Sequence, residues 1–281
     1  MKDLLKLYSF ESVTGSADEA AIADWICKWL DAHNITGYER QSNNIYYFGG
    51  NCDGLILSAH LDQVRTNGKA VHFYQDDDGF ITAYNKDWER TSLGADDKNG
   101  VWLILKTLEA GYNVNFIISE GEEAGCVGIQ SLEYQGVLEN KITADNFCIV
   151  LDRRGEGDVL TGGSCCTFCN TLADNIINFL RDPLLVKTTG SLSDTCTLCE
   201  YCESVNMSVA YYKPHTAEEY TDFNRLEEIK EHVIAIADYF VHYPSPPESY
   251  LSKTNAKKFN KYNNYYDNYN RGRWNDDEWF Y

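Results

Sequence analysis

The sequence predicts an α/β layered domain, and three observations carry that expectation. Short apolar, β-branched runs at residues 55–59, 114–118 and 147–151 have the length and composition of buried strands. Between them lie segments whose apolar residues recur at helical spacing. The two signals alternate along the chain, which is the pattern of a sheet covered by helices. With 281 residues, 43% of them hydrophobic and 14% aromatic, the chain can bury a substantial core.

The elements follow in order. Leucines at helical spacing make residues 1–10 a short helix. After the break at Thr14-Gly15, Ser16 and Glu19 form a capping-box pattern, and Ile22, Ala23, Ile26, Trp29 and Leu30 give a second helix, ending near residue 33, its apolar face. Residues 44–48 and 55–59 read as strands, the second so apolar that a central place in the sheet is expected. Residues 71–84 read as a hairpin turning on Asp77-Asp78-Gly79. A helix over residues 99–110 stops at Gly111, a C′ glycine. Strands are expected at 114–118, 147–151, 158–161 and 205–211, and helices near 167–180, 194–202 and 225–240. From Pro244-Ser245-Pro246-Pro247 onward the composition turns Tyr- and Asn-rich without apolar periodicity. Residues 1–243 are therefore expected to form one domain and residues 244–281 a low-complexity tail.

Composition also excludes classes of function. A formal net charge of −19 argues against nucleic-acid binding through phosphate neutralisation, which needs clustered Lys and Arg. No apolar run approaches a membrane span, and Met1-Lys2-Asp3-Leu4 lacks the features of a signal peptide, so a cytoplasmic location is expected. Ten cysteines are then expected as thiols. Two clusters, Cys165, Cys166 and Cys169, then Cys196, Cys199 and Cys202, have a spacing that a structural zinc could use. Core packing of small thiols on helix faces explains the same spacing and is preferred.

The stretch Ser119-Glu120-Gly121-Glu122-Glu123-Ala124-Gly125 follows the apolar run at 114–118, which delivers an acidic cluster to the carboxyl end of a buried strand. Open α/β sheets carry their ligand sites at that edge. Four further places put a metal-ligand residue type at a strand end or in an adjoining loop. They are Leu57-Ser58-Ala59-His60-Leu61-Asp62, Gly94-Ala95-Asp96-Asp97-Lys98-Asn99-Gly100, Asp152 after Ile149-Val150-Leu151, and Lys213-Pro214-His215-Thr216-Ala217-Glu218-Glu219. Singly, each fits a structural role: paired glutamates suit a solvated helix face, a histidine after a strand is often simply hydrogen-bonded, and carboxylates before a helix cap its N-terminus. Their joint occurrence is much harder to obtain by accident.

The succession His60-x-Asp62, Gly94-Ala95-Asp96-x-Lys98, Glu122-Glu123, Asp152, His215-Thr216 resembles the co-catalytic zinc exopeptidase superfamily. That group includes peptidase T, glutamate-carboxypeptidase-like enzymes, aminoacylases and the tetrahedral aminopeptidases. The likeness extends over roughly residues 3–242, starting near Phe10-Glu11-Ser12-Val13-Thr14-Gly15. It implies a three-layer α/β/α sandwich with a mixed central β-sheet and two zinc ions, for which manganese or cobalt can substitute. Carried over by position, Asp96 would bridge the ions, His60 and Asp152 would complete one, and Glu123 with His215 the other. Asp62 would accept a hydrogen bond from the His60 ring and fix its tautomer, and Glu122 would be the general base. In such chemistry two ions about 3.5–4 Å apart share a carboxylate and a water whose pKa falls to roughly 7.

Many relatives carry an inserted lid or dimerisation domain. Here the intervals from His60 to Asp96 and from Asp152 to His215 are too short for one, so a single catalytic domain over residues 1–243 without a lid is expected. The substrate implied is a short peptide, or alternatively an N-acyl amino acid; the oligomeric state is left open. A non-catalytic binding module on the same fold and a cysteine-zinc interaction domain are the readings from other classes. Arg153 and Arg154 follow a proposed ligand and suit either a substrate carboxylate or the balancing of nearby acids. Gly162-Gly163 suits a close backbone approach to substrate or a plain turn.

Overall fold

The computed structural model describes residues 1–52, 54–163, 170–190 and 192–243. The chain begins with α1 (Lys2–Tyr8), α2 (Ala17–Ala32), β1 (Glu39–Gln41), β2 (Asn44–Tyr47) and β3 (Leu55–His60). Next come β4 (His72–Gln75), β5 (Phe80–Tyr84), β6 (Arg90–Thr91), α3 (Ala95–Glu109), β7 (Asn115–Ser119), α4 (Val127–Tyr134) and α5 (Val137–Lys141). The chain continues with β8 (Phe147–Arg153), β9 (Asp158–Leu160), α6 (Asn170–Leu180), β10 (Val186–Thr188) and α7 (Thr195–Leu198). It closes with β11 (Glu203–Ser208), β12 (Tyr211–Tyr212), β13 (Tyr220–Asp222) and α8 (Phe223–His242).

An eight-stranded mixed sheet runs in the order β1-β2-β7-β3-β8-β11-β9-β10. Its four central strands, β7, β3, β8 and β11, are mutually parallel, while β2 and β9 join antiparallel to them. All four parallel carboxyl ends therefore lie on one edge, where the chain leaves β7 for α4 and leaves β3, β8 and β11 for further strands. The all-apolar reading of residues 55–59 is explained by burial on both faces: β3 is buried at every position. Leu55, Leu57 and Ala59 pack into the larger core with α1, α2, α3, α6 and α8, and Ile56 faces Ile129, Leu132 and Leu138 of α4 and α5 in a second cluster. Helices thus cover both faces, and the three-layer α/β/α expectation holds. A smaller sheet, β12-β13-β5-β4 with β6 beside β5, contains the expected hairpin as β4 and β5.

Several expectations need adjustment. The helix anticipated over residues 99–110 starts at Ala95, although Asp96 and Asp97 keep non-helical backbone angles inside its first turn. The helix expected near 194–202 is only the four residues of α7, and the strand expected at 205–211 is β11, ending at Ser208. Cys27, Cys52, Cys126, Cys148, Cys199 and Cys202 are free thiols, but Cys196 is disulfide-bonded, which corrects the all-thiol expectation. Cys165, Cys166, Cys169 and the 244–281 tail lie outside the described residues. Among the described residues no helix is long and apolar enough to cross a membrane.

Candidate metal centre

Strand ends bring the expected residues together. His60 is the last residue of β3 and pairs in register with Ser119, the last of β7, so the Glu122–Glu123 turn begins beside it. Asp152 sits one strand away in β8. Opposite them, α3 enters the sheet edge at very close range. A Cβ on Gly100 would lie 2.0 Å from the Leu151 carbonyl oxygen, so only glycine lets the first turn of α3, which carries Asp96, approach β8. His215 comes from the loop between β12 and β13, at a φ of 63°, a left-handed conformation that His tolerates better than most residues.

The side chains form two overlapping groups. His60 Nε2 lies 3.3 Å from Asp96 Oδ1, 3.5 Å from Asp152 Oδ1 and 3.9 Å from Glu122 Oε2. His215 Nε2 lies 2.7 Å from Glu123 Oε1 and 3.2 Å from Asp96 Oδ2. Asp96 therefore turns one carboxylate oxygen to each imidazole. Nitrogen and oxygen donors of His60, Asp96 and Asp152, of His60, Glu122 and Glu123, and of Asp96, Glu123 and His215 converge within 4.8 Å in each group. Carboxylate oxygens and imidazole nitrogens are the donor types that zinc, manganese and cobalt accept, so the residues present fit a divalent cation in each half.

Asp62 does more than the sequence implied. The His60 ring donates from Nδ1 to the Asp62 main-chain oxygen at 3.1 Å, with Asp62 Oδ1 at 3.3 Å, which leaves Nε2 free to face the site. The same carboxylate accepts the backbone N–H of Glu122 at 2.9 Å and of Glu123 at 3.1 Å, and the Thr14 hydroxyl at 2.6 Å. One buried acid thus orients the histidine and the glutamate turn together. Glu19 adds a second tie: besides closing the cap with Ser16, it accepts the Gly121 N–H at 3.1 Å.

The electrostatics are those of crowded acids in a desolvated place. Burial pushes Glu122 up to about 9, with Asp152, Asp194 and Glu123 adding repulsion against the pull of His60. Burial likewise pushes Asp152 up to about 7. Asp96 goes the other way: burial opposes ionisation, but hydrogen bonds from His215 and His60 outweigh it and hold the carboxyl well below the usual range. His215 is pushed up to about 10 by its hydrogen bonds to Asp96 and Glu123. The ion-pair partners of Asp62, Asp96, Glu122, Glu123 and Asp152 among the described residues are histidines alone. Such a concentration of carboxyl groups, with no Lys or Arg paired to it among the described residues, suits occupation by divalent cations, which would displace the protons.

Four residues that sequence reasoning did not single out support the site. Asp97 accepts the His60 N–H at 3.1 Å and the Gly100 N–H at 3.1 Å, locking α3 to β3. Glu219 accepts from Ser92, Gly94 and Asp96. Asp194 is buried and accepts from the Ser119 hydroxyl at the end of β7; burial raises it to about 6. Glu120 takes hydrogen bonds from Ser42, Asn43 and Asn44, which pins the β1–β2 turn to the start of the glutamate loop. Neighbouring glutamates are indistinguishable by type, and Asp194 before a helix looks like a cap, although its side chain makes no cap bond. Of the arginines after Asp152, Arg153 pairs with Asp158 at 2.9 Å, the charge-balancing role, and Arg154 is exposed. The Gly162 carbonyl accepts from the Gly190 N–H.

No family model matches the chain, and no curated protein matches it. Solved structures share its fold. Aminopeptidase PepT from Bacillus cereus ATCC 10987 superposes with a TM-score of 0.69 at 16% identity, covering 86% of this chain and 98% of that one. A tripeptidase from Staphylococcus aureus subsp. aureus Mu50 gives the same TM-score, identity and coverage. The TET1 peptidase of Pyrococcus horikoshii, which can assemble into a tetrahedron or a large octahedral shell, has a TM-score of 0.60 at 12% identity, covering 84% of this chain and 98% of that one.

Proposed function

We propose that this chain is a metal-dependent hydrolase of amide bonds, an exopeptidase acting on short peptides through two divalent cations, zinc in the first place. One observation carries the reading: the two oxygens of Asp96 face His60 and His215 separately, at 3.3 and 3.2 Å, so that one carboxylate would serve both groups of donors. His60 and Asp152 complete the inner half, and Glu123 and His215 the outer half. When bound, the ions supply Lewis acidity toward the scissile carbonyl and lower the proton affinity of the attacking water.

The chain's own residues do the remainder. Glu122 points an oxygen toward the inner half, 3.9 Å from His60 Nε2, and takes the proton of the attacking water. Its backbone is fixed by Asp62, so the carboxylate is presented without a search over loop conformations. The same carboxyl then returns the proton to the leaving amine. The unit that works is residues 1–243, a single catalytic domain in which the interval from His60 to Asp96 carries only the short strands β4, β5 and β6. The fold shared with structures named as an aminopeptidase and a tripeptidase supports peptides with free ends as the substrate class.

The test is metal content by elemental analysis together with turnover of a dipeptide and tripeptide panel and of acetylated amino acids. Two zinc equivalents, peptide turnover and its loss in Glu122→Gln are expected. Turnover of acetylated amino acids alone would make the protein a deacylase, and failure to take up metal would make it a binding module.

A further inference from the structure

We propose that Glu219 is the positioning residue of the outer half of the centre, fixing Asp96 and His215 relative to each other. The inference rests on the two-cation reading above. Glu219 is 1% exposed. Such a carboxylate is costly to bury unless every oxygen is satisfied. Here Oε2 accepts the Ser92 hydroxyl at 2.5 Å and the Gly94 N–H at 2.7 Å, and Oε1 accepts the Asp96 N–H at 3.3 Å. The α3 N-terminus has no side-chain cap of its own, since its N-cap is Gly94. A carboxylate from another loop therefore takes the donors that a helix start leaves open, where negative charge is favoured.

The origin of that carboxylate gives it a further role. Glu219 lies four residues after His215, its N–H donates to the Thr216 carbonyl at 3.3 Å, and its own carbonyl accepts from Arg90 Nη2 at 3.3 Å. The His215 loop is thereby closed on itself and clamped to the segment from Arg90 to Asp96. His215 has little packing of its own, with 47% of its side chain exposed and a left-handed backbone. Its distance to Asp96 Oδ2 is set by how the loop is anchored, and the anchor is Glu219. The inner half depends on this clamp less, because His60 and Asp152 are held by β3 and β8 and only the shared Asp96 touches Glu219.

Zinc titration calorimetry of metal-free protein reads this directly. Wild type is expected to show two binding steps. Glu219→Gln keeps the length and one acceptor oxygen but sets an NH2 group against donors; it should weaken one step by about 10–100-fold, as loss of a residue orienting metal ligands does, and the other, which shares only Asp96, by much less. Ser92→Ala removes a single donor at a distance from the ligands and should weaken the same step less, while Glu218→Gln, on the exposed neighbour, should change neither. Two wild-type steps retained in Glu219→Gln would overturn the inference alone. Equal weakening of both steps with a lowered melting temperature would overturn it as well, marking a purely structural residue. A wild-type protein that takes up no zinc would overturn the two-cation reading itself, and this inference with it.

Discussion

The inner and outer halves of the centre are built by different means. In the inner half, His60 has 2% of its side chain exposed and belongs to a strand paired on both sides, and Asp152 lies in the neighbouring strand with its N–H held by Asn206. Sheet register fixes their separation before any ligand arrives. In the outer half, Glu123 sits in a turn and His215 in a loop; the Asp62 carboxylate accepts the Glu123 N–H, and the Glu219 carboxylate accepts the Gly94 N–H and so ties the His215 loop to the start of α3. Strand-borne ligands inherit the rigidity of the core; loop-borne ligands need an acid of their own to hold them. Asp96 belongs to both halves; it is carried at the start of α3, and its N–H is held by Glu219.

Removing the shared residue should erase the distinction. Asp96→Ala deprives both halves of a donor, so metal content should fall at both and peptide turnover should drop below detection; retention of one tight zinc equivalent would show that one half stands without it. Glu122→Gln, by contrast, should leave both metal equivalents in place and reduce kcat by about 10²–10⁴-fold, the usual size of a general-base contribution. A comparable loss of bound metal in that variant would move Glu122 from the base to the ligands.

Asp62 links the halves at the level below the ligands, because it holds the His60 ring on one side and the Glu122–Glu123 backbone on the other. Asp62→Asn keeps the size but turns one of the two oxygens that accept the Glu122 and Glu123 N–H groups into a donor. Metal affinity should weaken by about 10–100-fold in both halves together. A loss confined to the inner half would mean that orienting His60 is its whole function.

Much of this arrangement was legible from residue order alone. The apolar run at β3 ended at His60 because burial on two faces requires apolar side chains up to the point where the strand emerges at the site. The capping box at Ser16 was legible because its hydrogen bonds are local. The edge strands β1 and β10 were not, since Glu39, Arg40, Val186 and Lys187 are exposed and show no apolar alternation. The short helix α4 is not legible because its N-cap, Cys126, is left-handed and makes no side-chain cap bond, which leaves no start signal. Within the site, sequence gave residue types at strand ends, whereas the supporting acids depend on contacts across the chain. Glu219 meets Gly94 across 125 positions and Asp194 meets Ser119 across 75, and no local pattern records either.

The smallest expected effect tests the comparison most closely, because it applies one substitution to both histidines of metal-free protein. Asparagine tolerates the left-handed backbone of His215, so His215→Asn changes little except a half-exposed ion pair and should cost about 0.2–1 kcal/mol. His60→Asn removes a buried ring from between Asp62, Asp96 and Asp152 and leaves their oxygens facing one another without a donor of the right reach. Its cost should be about 1–3 kcal/mol, the penalty of unsatisfied buried polar groups. Urea unfolding of the two variants measures the difference. Equal losses would mean that the loop holding His215 is as firmly built as the strand holding His60, and that the centre has one degree of rigidity rather than two.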